Sequence, residues 1–167
     1  VALLATNGAN VTIKNATVNS SAQNGNGIFS YGTGTTVNVS DSTITTTADN
    51  SGGIQTTVGG TTNAANLTVN TSGNSAAAIR SDRGGGTVVV DKGTYTSNGY
   101  NSPAVYSTSD ITVSNATLTA NNSESLVIEG KNSIKLNNCD VSGNMSSTEG
   151  SSSDENVHNV MIYQSMS

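Results

Sequence analysis

Few side chains in this sequence could carry out acid–base chemistry, and they are scattered along the chain. His158 is the only histidine, and no hydrolase motif surrounds it. The only local mixture of cations and carboxylates is Arg80, Asp82 and Arg83, to which Asp110 could be added by a repeating fold. A polysaccharide lyase needs a basic residue beside acids that hold calcium, so this group is the one candidate for catalysis.

A second group of carboxylates could supply ligands to calcium, which prefers oxygen donors. Glu149, Asp154 and Glu155 lie close together near the end of the chain. Their spacing matches no known calcium-binding loop, and the alternative is a solvated acidic loop. The sequence predicts no cofactor, and calcium is the one candidate.

A third group consists of side chains that suit a sugar polymer. Each lies in a short segment, directly after the aliphatic residue that is expected to point inward. Its own side chain is therefore expected to point outward. Stacked segments would align these outward residues, so that aromatic rings contact sugar CH groups and polar groups bind hydroxyls. The outward column is Phe29, Gln55, Arg80, Tyr106 and Ile128, with Tyr31 and Arg83 nearby. The alternative is a solvated face with incidental aromatic residues.

An eight-residue pattern, repeated six times, predicts the fold that would align these residues. Positions one and three are aliphatic, position six is small, and position eight is apolar in all copies but the third, where it is Asn74. Offsets of two residues predict strands with one buried face. The copies are VTIKNATV from Val11, VNVSDSTI from Val37, LTVNTSGN from Leu67, VVVDKGTY from Val88, ITVSNATL from Ile111 and IKLNNCDV from Ile134.

The copies start 26, 30, 21, 23 and 23 residues apart, a drifting period that indicates a solenoid. Together with the aliphatic segment (Ile28, Ile54, Ile79, Val105, Val127), each copy predicts a coil of three short strands. We therefore expect an all-β, right-handed parallel β-helix of six to seven coils over residues 1–167, filled by aliphatic side chains. Residues 58–65 and 145–159 are expected to be long loops. Because neither end carries an evident cap, we expect the chain to be part of a longer solenoid, with neighbouring coils as partners.

Threonines recur in pairs two residues apart on the outward side of the repeat. Regularly spaced threonines on a flat face can order water and bind ice, although threonine is also simply a good exposed strand residue. Asn19, the third copy, Asp140 and Ser142 interrupt the expected array. The pairs are Thr43 and Thr45, Thr94 and Thr96, and Thr117 and Thr119.

Composition and charge argue against two other classes of partner. The net charge is −5, and only six of the 167 residues are Lys or Arg, so the basic surface that nucleic acid requires is missing. No apolar run approaches the length of a membrane span, and we expect no membrane insertion.

The repeats and the stretch ESLVIEGKNSIKLNNCDVSGN resemble right-handed β-helix repeats of bacterial surface and secreted proteins. They look most like the adhesin-like solenoids of clostridial bacteria and, more distantly, a clostridial family of polysaccharide-binding β-helix proteins. Pectate-lyase-type enzymes share the fold. The resemblance implies an extracellular location and contact with a polysaccharide or host glycan, and it transfers no site residue.

The sequence thus favours a noncatalytic, extracellular adhesin or stalk that binds glycan through the outward column. A polysaccharide lyase or hydrolase of the pectate-lyase type is the first alternative. Ice binding through the threonine face is the second.

Overall fold

The chain folds as a parallel β-solenoid of about six turns. The computed structural model describes residues 1–145 and 157–164, and all helices and strands assigned in these residues are β-strands, with no helix among them. All strand pairs are parallel, and each strand pairs with its counterparts one coil before and one coil after. The predicted fold class is confirmed.

Seven short strands stack in a first sheet, called sheet 1. Each provides one rung, at the usual strand separation of about 4.8 Å. The strands are β1 (Leu3–Ala5), β4 (Ile28–Tyr31), β7 (Ile54–Thr57), β9 (Ile79–Asp82), β11 (Val105–Ser107), β13 (Leu126–Glu129) and β16 (Val160–Tyr163).

Sheet 2 holds the other two strand segments of each coil, which form its first and second arms. In the first two coils and the last the arms are separate strands, and in the three between they are one continuous strand. The strands are β2 (Asn10–Lys14), β3 (Thr17–Ser20), β5 (Thr36–Ser40), β6 (Thr43–Thr46), β8 (Gly60–Thr71), β10 (Gly86–Ser97), β12 (Asp110–Ala120), β14 (Ser133–Asn137) and β15 (Asp140–Gly143).

A left-handed residue joins the two arms in every coil, and in β10 the Gly93 that follows it also has a positive φ. There the inward and outward positions shift by one, as in β10, where Val88 and Val90 are buried before the corner and Tyr95 and Ser97 after it. Asparagine and aspartate tolerate this backbone conformation better than other side chains. The corner residues, with φ between 49° and 63°, are Asn15, Asp41, Asn66, Lys92, Asn115 and Asn138.

The core runs along the solenoid axis and is only partly aliphatic. Ile28, Ile54, Ile79 and Val105 form the inward column of sheet 1 and are fully buried. Next to this column, buried hydroxyl residues take the second inward position of sheet 1. They are Ser30, Thr56, Ser81 and Ser107. The expectation of a purely aliphatic interior is therefore corrected.

Small residues precede the inward column because the chain has no room for a larger side chain there. A Cβ atom on Gly53 would lie 2.3 Å from Val69 Cγ1 and 2.6 Å from the Ala78 carbonyl oxygen. A Cβ atom on Gly27 would lie 2.4 Å from Ile44 Cγ2. On these two rungs the close approach leaves room for glycine alone.

The third copy of the repeat begins at Thr62 and not at Leu67. Thr62 pairs with Val37 and Val88, and Leu67 pairs with Gly93, which makes Leu67 a large buried residue at the position expected to be small. The predicted loop at 58–65 is wrong for the same reason, since β8 already starts at Gly60. The hydroxyl groups of buried Thr62 and Thr56 form a 2.7 Å hydrogen bond with each other, so a hydroxyl pair replaces the expected aliphatic contact.

The inward column of sheet 1 continues through Leu126 and not through Val127. Leu126 pairs with Val105, and Ser125 is the small residue before it. Val127 therefore pairs with Tyr106, and Ile128 pairs with Ser107. The assignment of Ile128 to the outward column is wrong because the apolar run Leu126–Ile128 concealed the register.

Candidate functional site

Four of the five residues predicted for the outward column lie on consecutive rungs of sheet 1. Phe29 pairs with Gln55, Gln55 with Arg80, and Arg80 with Tyr106. The next rung holds buried Val127. The predicted alignment on successive rungs is thus confirmed from Phe29 to Tyr106 and fails at Ile128, while the glycan-binding role of these residues stays a prediction.

A second outward column lies two residues further along each strand. Tyr31 pairs with Thr57, and Thr57 pairs with Asp82. On the later rungs Glu129 pairs with Tyr163. The two columns together cover the outer face of sheet 1 with aromatic, amide and charged side chains.

Three adjoining cavities lie along this face, and we call them together the groove. Asp82 lines all three, whereas Arg80, Arg83 and Tyr106 each line two. Their volumes are about 190, 510 and 560 Å³. Because the strands stack along the axis, the groove follows the same direction and crosses several coils.

One end of the groove is aromatic. Phe29 and Tyr31 lie two residues apart on β4, and their ring centroids are 5.9 Å apart with an interplanar angle of 86°. This edge-to-face contact holds both rings in place. Tyr31 is 42% exposed, so much of its ring is free to contact a ligand.

The centre of the groove is polar. Arg80 Nη2 lies 2.5 Å from Asp82 Oδ2, while Arg80 Nη1 donates to the Asn50 and Ser75 carbonyl oxygens at 3.4 and 3.3 Å. The ion pair is partly exposed and stabilises the fold little. Its main effect is to fix the orientation of the guanidinium group.

Beneath this centre, Gln55 carries an unsatisfied acceptor. The side chain is 3% exposed, and its Oε1 atom has no hydrogen-bond partner among the described residues. Its Nε2 atom lies 3.5 Å from Asp82 Oδ2. Buried acceptors of this kind normally have a partner, so Gln55 Oε1 is an exception among the described residues.

At the other end, two tyrosine hydroxyls converge on one carboxylate. Tyr106 donates to Glu129 Oε2, and Tyr163 donates to the same atom at 3.2 Å. Burial, followed by the hydrogen bonds with Glu129 and Tyr163, raises the pKa of Tyr106 above its ordinary value. Burial likewise raises the pKa of Tyr163. Both phenols therefore stay protonated and act as donors.

Arg83 lies at the edge of the groove, in a tight turn. Its φ is +30°, and the three glycines that follow it also have positive φ. The side chain is exposed and lines two of the cavities beside Asp82. Asp110, the distant member of the predicted catalytic group, instead lies on sheet 2, where it accepts a 2.8 Å hydrogen bond from Ser133.

The predicted calcium ligands Glu149, Asp154 and Glu155 lie outside the described residues. Within 1–145 and 157–164, no three His, Cys, Asp or Glu residues come close enough to hold a metal ion. His158 lies beside the fully buried Glu124, with Nδ1 3.5 Å from Oε1. Neither residue lines the groove.

Sequence reasoning missed Glu129 and Tyr163 as groove residues. The segment from Val160 was recognisable as a further repeat of the sheet 1 strand. Extending that strand by one residue reaches Tyr163, and pairing it with the preceding coil reaches Glu129. The missed signal was therefore the second outward column.

Comparison with known proteins adds no assignment: no family model matches the chain, and neither does any curated protein or solved structure. The structure contains, in its described part, no helix suited to crossing a lipid bilayer.

Proposed function

We propose that this chain is a noncatalytic glycan-binding module whose groove holds a polysaccharide along the solenoid axis. The observation that carries the proposal is the register of sheet 1, which sets Phe29, Gln55, Arg80 and Tyr106 on successive rungs. A polymer with a regular repeat can meet such a row with one unit after another.

The chemistry of the groove suits sugars. The exposed ring of Tyr31 and the half-buried ring of Tyr106 can stack on the CH-rich faces of pyranose rings. Between them, Arg80 and Asp82 present fixed donors and acceptors to hydroxyl groups. Few polar positions between apolar surfaces are typical of a site that orients its ligand.

The state of the ionisable groups favours binding over catalysis. Arg80 is paired with Asp82, and an arginine stays protonated in proteins, so it is a poor general base. Glu129 accepts two tyrosine hydroxyls, whose raised pKa values oppose proton abstraction by either phenol. The groups that could act as bases are therefore held in other roles.

The polysaccharide-lyase alternative uses the same groove. What favours it is that Tyr106, Arg80 and Asp82 line the same cavity. It predicts that pectic polymers incubated with calcium give unsaturated products, which absorb in the ultraviolet. The binding proposal predicts no such product.

The extracellular role as an adhesin or stalk is part of the same proposal. It is supported by the resemblance of the repeats to bacterial surface solenoids. A stiff rod with a lateral groove would suit attachment to a glycan-coated surface.

A glycan array with the full chain tests the binding role. We expect binding to a restricted set of polysaccharides, and we expect Tyr106→Ala to weaken it at least tenfold because a stacking ring is lost. Tyr100→Ala is the matched control, since Tyr100 is exposed and lines none of the three cavities. No binding by the wild-type chain, or equal loss in both variants, would contradict the proposal.

A further inference from the structure

A column of five exposed threonines runs along the second arm of sheet 2, on a different face from the groove. All five are exposed, and each pairs in register with the next. The correction of the third coil supplies the member that the sequence pattern lacked, Thr68. The column is Thr17, Thr43, Thr68, Thr94 and Thr117.

A parallel column lies two residues further along the same strands. Its members are uncharged and polar, and three of the five are threonine. The two columns together, called the threonine array, thus have eight threonines in ten positions. The second column is Asn19, Thr45, Asn70, Thr96 and Thr119.

The spacing of the array is regular in two directions. Successive rungs are about 4.8 Å apart, and residues i and i+2 of a strand are about 6.7 Å apart. Both distances are close to repeats between oxygen atoms in hexagonal ice. A ligand that fits the whole array must itself be periodic in two directions, which a single polysaccharide chain is not.

The array is held rigidly from below and from both sides. The residues between its two columns point inward, and Ile44, Val69, Tyr95 and Leu118 are fully buried. Threonine is β-branched and has few rotamers, so its methyl and hydroxyl groups are held in place. Little side-chain entropy is lost when such a surface meets an ordered ligand.

Ladders of amide side chains flank the array. On one side Asn138 donates to Asn115 at 2.9 Å, and on the other Asn121 donates to Asn98 at 2.8 Å. Side-chain ladders of this kind help to keep stacked strands flat. They favour a planar surface between the two corners.

Charge is absent from the array over five rungs and returns only at Asp140, on the sixth. An ion does not fit into an ice lattice, so an uncharged surface is what adsorption to ice requires. We propose that the threonine array is a second binding surface, separate from the groove, that adsorbs to ice.

Thermal hysteresis of the full chain, together with its partition into a slowly growing ice hemisphere, tests this inference. We expect the wild-type chain to show a freezing gap and to be enriched in the ice. Thr68→Lys and Thr94→Lys place a charge at the centre of the array and should each lower the hysteresis at least fivefold. Circular dichroism would verify that each variant keeps its β-structure.

Two further variants separate this surface from the rest of the molecule. Thr12→Lys carries the same change on the first arm of sheet 2, where Thr12 is exposed and outside the array, and it should leave the hysteresis unchanged. Tyr106→Ala should also leave it unchanged, since it affects only the groove. Absence of hysteresis in the wild-type chain, or equal loss with Thr12→Lys and Thr68→Lys, would overturn the inference.

Discussion

Tyr95 shows how a single buried residue contributes to the response of the fold to pH. It is fully buried, and its hydroxyl donates to the Lys92 carbonyl oxygen at 2.9 Å. Burial raises its pKa above the ordinary value of about 10, and nearby Asp91 adds to the effect. The folded protein therefore holds this proton more tightly than the unfolded chain does.

This difference predicts a loss of stability at high pH. Below about pH 10 the phenol is protonated in both the folded and the unfolded state, so its contribution to the free energy of unfolding is fully present. As pH rises from there towards the folded-state pKa, the unfolded chain loses the proton first and the free energy of unfolding falls. Tyr95→Phe removes this ionisation, so its stability should fall less steeply with pH.

Urea unfolding between pH 8 and pH 11 measures the effect. At pH 8 Tyr95→Phe should be less stable than the wild type by about 1 kcal/mol, because one buried hydrogen bond is lost. Tyr100→Phe, at an exposed position, serves as the control and should follow the wild-type curve. Parallel curves for wild type and Tyr95→Phe would show that Tyr95 does not control alkaline unfolding.

At the scale of the strand, the left-handed corner between the two arms of sheet 2 is the feature that repeats most faithfully. Five of its six residues are Asn or Asp, and Lys92 in β10 is the exception, with a φ of 63°. Lysine pays more for this backbone conformation than asparagine does. Asn66 and Asn115 occupy the same corner in the coils on either side.

Lys92→Asn should therefore stabilise the protein, by about 0.5–1 kcal/mol, since it relieves strain of the kind found at non-glycine left-handed positions. Thermal unfolding followed by circular dichroism measures the change as a higher midpoint. Lys14→Asn, on the exposed face of β2 and not left-handed, is the control and should shift the midpoint little. A lowered midpoint for Lys92→Asn would mean that the lysine side chain stabilises the corner.

The strands also show why part of the register could be predicted and part could not. Where a coil places aliphatic residues at both inward positions of the first arm, as with Val37 and Val39, the alternating apolar pattern identified the register of that arm. In the third coil Thr62 and Ala64 take these positions, and Thr62 is kept buried by its hydrogen bond to Thr56. That contact lies in another strand, so the local pattern could not reveal it.

At the scale of the whole molecule, stacking turns a modest sequence signal into extended surfaces. The groove could be predicted as far as one outward column, because consecutive coils there have nearly equal lengths. Glu129 and Tyr163 meet Tyr106 only through the last coils, across 23 and 57 residues of sequence. Contacts of that range depend on the register, which a single repeat does not specify.

The two proposed surfaces differ in kind. The groove on sheet 1 is irregular, with charges at its centre and aromatic rings towards both ends, and it suits a ligand that is a chain. The threonine array on sheet 2 is uncharged and periodic, and it suits a ligand that is a lattice. Variants on one face should leave the other unaffected, because distant sites contribute independently.

The dependence of affinity on oligosaccharide length tests the central claim most directly. Calorimetric titration would use oligosaccharides of increasing length, prepared from a polysaccharide that binds in the glycan-array experiment. If successive rungs hold successive sugars, affinity should rise with each added unit until the ligand spans the three intervals from Phe29 to Tyr106, about 14 Å, and then level off. Affinity that does not change with length, or that is unaffected when Phe29 and Tyr106 are both replaced by Ala, would contradict a groove that binds along the solenoid axis.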